Sequence, residues 1–434
     1  MKEWLIKEHE KWNAHMEAPF YIKRGKVHSV QEQFFVSKGP KAKIGDVCLV
    51  GEHNVLCEVI AIEKENNTLL PFEQTEKVCY GDAVTLISED VTVPRGEHLL
   101  GKVLNANGEI LNEQEATTPL QKIRLDAPPI HAFDREEITE VFETGIKSID
   151  GMLTIGVGQK IGIFAGSGVG KSTLLGMIAK NASADINVIS LVGERGREVK
   201  DFIRKELGEE GMKKSVVVVA TSDESHLMQL RAAKLATSIA EYFRDQGKNV
   251  LLMMDSVTRF ADARRSVDIA VKELPIGGKT LLMESYMKKL LERSGKTKVG
   301  SITGIYTVLV DGDDLNGPVP DLARGILDGH IVLKRDLATL NHYPAISVLD
   351  SVSRIMEEVV APDHWKIANE IRKTLSIYQE NELYFKLGTI QENEENAYIF
   401  ACKNKIDDIH TFLKQGRTES YRFADVIQQM DGVM

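Results

Sequence analysis

Apolar residues run in short, mostly unbroken blocks through the middle of the chain and alternate with polar ones near its start. Ile161–Ala165, Asn187–Val192, Val216–Ala220 and Val250–Met254 are such blocks. Between them lie stretches with helical spacing of apolar positions: Lys171–Asn181, a charged stretch through Val199–Leu207, and Glu224–Asp245. Buried strands alternating with amphipathic helices predict a mostly parallel α/β sheet covered on both faces, over about Thr144 to Lys334. Nearer the start, Phe34–Ser37, Val47–Val50, Cys57–Ile62 and Ala83–Ile87 are short β-rich runs. The turns expected between them include Lys38-Gly39-Pro40 and Glu65-Asn66-Asn67, and this rhythm predicts a small β-barrel. Leu5, His9, Trp12 and Met16 share one helical face, and Pro19 ends that helix. Asn112–Glu136 is polar, contains three prolines and is expected to be an extended connector. Beyond about Ile355 the chain turns helical. Pro362-Asp363 is a plausible start, and Ile367, Ile371, Leu375 and Tyr378 lie on one face. The expected segments are therefore a helix over 1–18, a β-barrel over 19–95, a P-loop domain over 96–355 and a helical domain over 356–434.

With 434 residues, the chain is long enough for two or three domains, and 43% hydrophobic with 27% charged residues is ordinary for a soluble globular protein. No apolar run is long enough to span a bilayer, and Met1–Glu10 lacks the apolar stretch of a secretory signal. Cys48, Cys57, Cys79 and Cys402 form no C-x-x-C pair, so neither a zinc site nor a disulfide framework is indicated and a cytoplasmic location is expected. The net charge of −10 disfavours a dedicated nucleic-acid binder. The local basic cluster of Lys23, Arg24, Lys26, Lys38, Lys41 and Lys43 reads as a solvated face of the barrel.

The candidate chemistry centres on Ala165-Gly166-Ser167-Gly168-Val169-Gly170-Lys171-Ser172-Thr173. It follows an apolar strand and opens a helix, the setting a phosphate-binding loop requires. Its glycines let successive N–H groups turn towards an anion, and the helix N-terminus favours phosphate. Lys171 is expected to reach the β- and γ-phosphates of ATP, and the Ser172 hydroxyl to ligate Mg²⁺. The first glycine of the usual pattern is Ala165 here. Asp255 ends an apolar strand and is the expected carboxylate of the Mg²⁺ shell, its other reading being a helix N-cap. Glu194, after the strand Asn187–Val192, is the candidate that orients the attacking water. Glu198 competes with it from inside the next helix, and an ion pair with Arg195 or Arg197 is the alternative role for Glu194.

Gly162–Thr173 with Leu191–Glu198 resembles the type III secretion ATPases, in particular the flagellar protein export ATPases, which are similar to the catalytic subunits of rotary F- and V-type ATPases. The resemblance runs over roughly Gly25 to Met356. It includes Ile44-Gly45-Asp46, Leu99–Leu104, Thr144-Gly145-Ile146-Lys147-Ser148-Ile149-Asp150, Asp311-Gly312-Asp313-Asp314, Gly325–His330 and Ser351-Val352-Ser353-Arg354. It implies a P-loop, RecA-like core and ATP hydrolysis that energises protein export. It implies Glu194 as catalytic glutamate, Tyr343 packing on the adenine, and Arg354 as an arginine finger reaching a neighbouring subunit's nucleotide. It implies a homohexamer and, as partners, a negative regulator at the N-terminal helix, a stalk, gate proteins and substrate–chaperone complexes, with peripheral attachment to the membrane-embedded export apparatus. Gly196 stands where the synthase form usually has Thr, which favours the flagellar branch. Ala261–Thr280 departs from the family's usual run, in a stretch that lines the subunit interface and pore. Two other readings remain at this stage: a non-catalytic nucleotide-binding subunit of a rotary-type ATPase, and an RNA-dependent hexameric translocase. The intact Glu194 disfavours the first, and the acidic balance disfavours the second.

Overall fold

A computed structural model of the protein describes residues 24–433, apart from 74, 89, 90, 95, 113–119, 124, 311 and 313. The helix expected over 1–18, with Leu5, Trp12 and Met16, lies outside the described residues, as do Lys23, Asp311 and Asp313. The chain divides into two compact units, one reaching to Val91 and including Ile269–Glu273, the other formed by Thr92–Asp268 with Leu274–Met434.

The first unit is a closed barrel. Its strands are β1 (Arg24–Val30), β2 (Phe35–Lys38), β3 (Val47–Val50), β4 (Val55–Glu63), β5 (Asn66–Pro71) and β6 (Ala83–Ser88). They pair in the order β1-β2-β5-β4-β3-β6, and β6 returns to β1. Alternate residues point inward, so Val27, Phe35, Cys48, Val50, Cys57, Val59 and Leu69 fill the interior. Two strands differ from the sequence expectation. β1 was not anticipated because only Gly25 and Val27 of its seven residues are buried. Gly25 is fixed by contact, since a Cβ there would lie 2.0 Å from the carbonyl oxygen of Gly39. Asn66-Asn67, expected in a turn, instead opens β5. The reversal comes earlier, with Lys64 at φ 57°. Asn67 points inward because its amide donates to the Pro40 carbonyl at 2.7 Å. Arg24, Lys26, Lys38, Lys41 and Lys43 are exposed.

The second unit is built on a sheet whose strands are β7 (Val103–Asn105), β8 (Lys160–Ala165), β9 (Ile186–Glu194), β10 (Ser215–Thr221), β11 (Asn249–Asp255), β12 (Ser301–Leu309), β13 (Gly329–Leu333) and β14 (Ile346–Ser353). Their order is β14-β13-β8-β12-β11-β9-β10-β7, with the short strand Gly295–Lys296 pairing with β12. Neighbours are parallel along this path except β13 and β14. Every residue of β8 is buried, as a strand covered on both faces requires.

The helices that matter for the site are α1 (Lys147–Met152), α2 (Lys171–Asn181), α3 (Gly196–Asp201), α4 (His226–Asp245), α5 (Val257–Ala270), α6 (Leu281–Leu291), α7 (Pro318–Ile326), α8 (Pro362–Leu387), α9 (Ala397–Leu413) and α10 (Phe423–Val433). The helix expected through Val199–Leu207 is not one regular element. α3 runs into a π-helical turn, Phe202–Leu207, and then a helix over Gly208–Lys213. The wider turn brings Phe202 and Leu207 into the core together, which a 3.6-residue period would not do. The Asn112–Glu136 connector carries a strand at Leu120–Ile123 and a 3-10 turn at Ala132–Asp134. Pro362 stands in the first turn of α8, where its missing N–H is not needed. Ile371 and Leu375 of α8, Phe412 of α9 and Val426 of α10 join the same apolar cluster as Ile163 and Leu191 of the sheet.

The atypical Ala261–Thr280 stretch is ordered by its own polar contacts. α5 takes up its first half, and buried Arg264 pairs with buried Asp268 at 2.6 Å. Thr280 bonds Asp268 and caps α6 by accepting from the Met283 N–H. Arg265 donates to the Gly278 carbonyl at 3.2 Å, and Lys279 pairs with Asp321 of α7.

Candidate nucleotide site

β8 is apolar to its last residue, Ala165, and the chain then turns through Gly166–Gly170 into α2. Gly168 and Gly170 have φ of 79° and 92°, a left-handed conformation that a side chain disfavours. Val169 is buried and pins the loop to the core, while Ser167, Gly168 and Ser172 are exposed. No side chain caps α2 at Gly170. The N–H groups of its first turn therefore face the space where an anion gains from the helix dipole.

Two carboxylates close on Lys171. Asp255 ends β11 and Glu194 ends the neighbouring parallel strand β9, where Leu191 is in register with Asp255. The strand direction thus delivers both acids to one sheet edge. Lys171 Nζ donates to Asp255 Oδ1 at 2.5 Å and to Glu194 Oε1 at 3.4 Å. Burial by itself would lower the Lys171 ammonium, but the Asp255 and Glu194 charges hold it above its ordinary value. Burial and the Asp255 charge push the Glu194 carboxyl up to about 7, with Lys171 opposing them and Glu198, hydrogen-bonded to Glu194, adding to the rise. Ser172, Glu194, Glu198 and Asp255 line one small cavity. Its oxygen donors, beside a point that already stabilises the Lys171 cation, suit a hard divalent cation such as Mg²⁺.

The phosphate loop also forms one side of a cleft of about 700 Å³. Gly168, Gly170 and Thr173 meet Tyr343 and Pro344 across it. Tyr343 is 40% exposed, and a methyl group placed on Gly170 would lie 3.5 Å from its ring. An exposed aromatic face beside a phosphate loop can stack on a planar base. Arg354 is elsewhere. It follows β14, is exposed, donates from Nη2 to the Arg324 carbonyl at 3.1 Å, and lines neither the cleft nor the small cavity. The expected residues therefore come together within one chain, Arg354 excepted.

Sequence reading missed three contributors. Thr307 is fully buried in β12 and donates to Asp255 Oδ1 at 2.7 Å. Its one signal is a hydroxyl within an apolar run. Lys414 and Gln415 reach the cleft from beyond α9, and no local pattern marks them.

The nucleotide-binding domain of the ATP synthase alpha/beta family matches residues 145–353. The C-terminal domain of the type III secretion system ATPase EscN matches residues 360–432. The chain is 46% identical over 412 residues to the flagellum-specific ATP synthase of Bacillus subtilis, covering 92% of each. Its structure is similar to that of the assembled ATPase EscN from the enteropathogenic E. coli type III secretion system, with a TM-score of 0.90, 42% identity and coverage of 94% of this chain and 99% of that one. The assembled EscN in complex with its central stalk EscO superposes with a TM-score of 0.86 at 41% identity, with the same coverage.

Proposed function

The chain belongs to the family of flagellum-specific ATP synthases and type III secretion ATPases, and on that premise we propose that its site at Lys171, Glu194 and Asp255 hydrolyses ATP to energise protein export through a flagellar-type secretion apparatus. One observation carries the assignment. The Lys171 ammonium, at the end of the phosphate loop, sits between the Asp255 and Glu194 carboxylates, which line a small cavity with Ser172.

ATP is the substrate. The N–H groups of Gly166–Thr173 receive its phosphates, Lys171 leaves its carboxylate partners for the β- and γ-phosphate oxygens, and Tyr343 packs on the adenine. The Ser172 hydroxyl and the Asp255 carboxylate would hold Mg²⁺, which when bound neutralises charge on the phosphate oxygens. Glu194 orients the attacking water and accepts its proton as the bond to the γ-phosphorus forms and the bond to the ADP oxygen breaks. A carboxyl near 7 is well placed to accept a proton at neutral pH. Arg354 serves a neighbouring subunit's nucleotide, a role supported by its exposure and by its lining neither the cleft nor the small cavity of its own chain.

On this reading the protein works as a homohexamer around a stalk, as the titles of the EscN structures describe for that ATPase. Its further partners are a regulator, gate proteins and substrate–chaperone complexes. It acts peripherally at the export gate, and no described helix is long and apolar enough to cross a membrane. Residues 96–355 are the ATPase domain, and 356–434 the helical domain. The test is Mg²⁺-dependent ATP hydrolysis by the full chain across a range of protein concentrations. Specific activity rises with concentration if neighbours complete the site. A chain that binds ATP yet never turns over at any concentration contradicts the proposal and favours a non-catalytic assembly subunit.

A further inference from the structure

The wall of the cleft facing the phosphate loop comes from two segments far apart in sequence, Tyr343-Pro344 and Lys414–Glu419. Gln415 joins them. It is 6% exposed, and both ends of its amide are paired. Its Oε1 accepts from the Lys147 N–H at 2.8 Å, and its Nε2 donates to the Gly145 and Glu419 carbonyls at 2.8 and 2.9 Å. Its backbone N–H donates to the Tyr343 carbonyl at 2.9 Å. Only a side-chain amide offers one acceptor and two donors in this shape.

The anchor to which Gln415 attaches is itself fixed. Asp150, fully buried in α1, accepts from the Thr144 N–H at 2.9 Å, the Thr144 hydroxyl at 2.6 Å and the Gly145 N–H at 2.9 Å. These bonds close the turn that presents the Gly145 carbonyl and the Lys147 N–H. They account for Thr144, Gly145 and Asp150 in a motif that touches no phosphate-loop residue in the contacts described above. On the other side, the Gly416 N–H donates to Glu419 Oε2 at 2.8 Å and closes the C-terminal turn.

We propose that Gln415 is a positioning residue for the base end of the nucleotide: it ties the Tyr343 loop to the Thr144–Asp150 turn and so holds the tyrosine ring over the cleft. The inference rests on the reading of this cleft as the nucleotide seat. Removing the amide leaves buried main-chain groups at Gly145 and Lys147 unpaired and loosens the segment whose backbone N–H holds the Tyr343 carbonyl, so the ring loses its fixed position.

The experiment compares equilibrium binding of ATP and of inorganic tripolyphosphate, which has no base, to the full chain and to its Gln415→Met, Gln415→Asn and Tyr343→Ala variants. Gln415→Met weakens ATP by about tenfold and leaves tripolyphosphate within about twofold, and Gln415→Asn moves the same way by less. Tripolyphosphate binding also reports that the phosphate loop is folded. Should Gln415→Met bind neither ligand, the milder Gln415→Asn decides. The positioning role is overturned if Tyr343→Ala weakens ATP but the Gln415 variants do not, or if ATP and tripolyphosphate weaken together in Gln415→Asn. If Tyr343→Ala leaves ATP binding unchanged, the base seat itself is misplaced and the role of Gln415 falls with it.

Discussion

Replacing Glu194 by Gln should stabilise the protein at neutral and higher pH while abolishing turnover. The carboxyl is pushed from an ordinary 4.5 to about 7 in the folded chain, by burial first and by the Asp255 charge second. A group raised in this way supports folding fully below about 4.5, and that support is lost as pH rises through about 7. Above that range the folded protein holds a second anion next to Asp255 that the unfolded chain would hydrate. A rise from 4.5 to about 7 corresponds to about 3 kcal/mol at most. Because the Glu194 side chain keeps 16% of its surface wet, solvent screening reduces this to about 1–2 kcal/mol. Gln keeps the shape, removes the charge and leaves Lys171 its 2.5 Å bond to Asp255. The assay is thermal melting without nucleotide, at about pH 5 and about pH 8. The variant should melt higher than the parent at the alkaline value, and the gap should narrow in acid, because the parent's carboxyl is then protonated. A variant that melts at or below the parent at the alkaline value, or a gap that does not change with pH, refutes the reasoning.

Thr307→Val keeps the buried volume but deletes the hydroxyl that donates to Asp255 Oδ1. A hydrogen bond to a charged group is worth about 1.5–3 kcal/mol, so kcat should fall by about tenfold or more, and an unchanged kcat would show that Asp255 needs no such support. Arg293→Met strips Glu241 of the guanidinium that binds both its oxygens at 2.8 and 2.6 Å, in a pair only 2% and 10% exposed. Leaving that carboxylate uncompensated should cost about 3–5 kcal/mol in urea unfolding, with the folded fraction still active; a loss below about 1 kcal/mol would mean that water reaches Glu241.

The phosphate loop, the sheet edge and the helix Lys171–Asn181 were legible in the sequence because each rests on a local pattern. An apolar run ends, glycines follow, and an acid stands at the end of a strand. The barrel strands β1 and β5 were not legible. β1 carries little apolar surface, and β5 opens with two asparagines, one of which is buried by a bond to Pro40, 27 residues away. The π-helical turn at Phe202–Leu207 was missed for a related reason: its phase is set by packing against α2, where a Cβ on Gly176 would lie 2.5 Å from Glu206. Of the site, the residues proposed to meet phosphate were visible from spacing, but Tyr343 and Arg354 came only through family resemblance. Gln415 came through neither. Its partners at Gly145 and Lys147 are about 270 residues away, and only the folded chain brings them together.

The central claim is that each site pairs Glu194 of one chain with Arg354 of the next. Mixing two separately inactive variants, Glu194→Gln and Arg354→Ala, tests it directly. In a mixed assembly some interfaces regain both groups, so ATP hydrolysis should reappear well above either variant alone; an arginine finger contributes on the order of 10³–10⁵ in rate. If the mixture assembles and remains as inactive as its parts, Arg354 does not act across the interface and the account of a shared site is wrong.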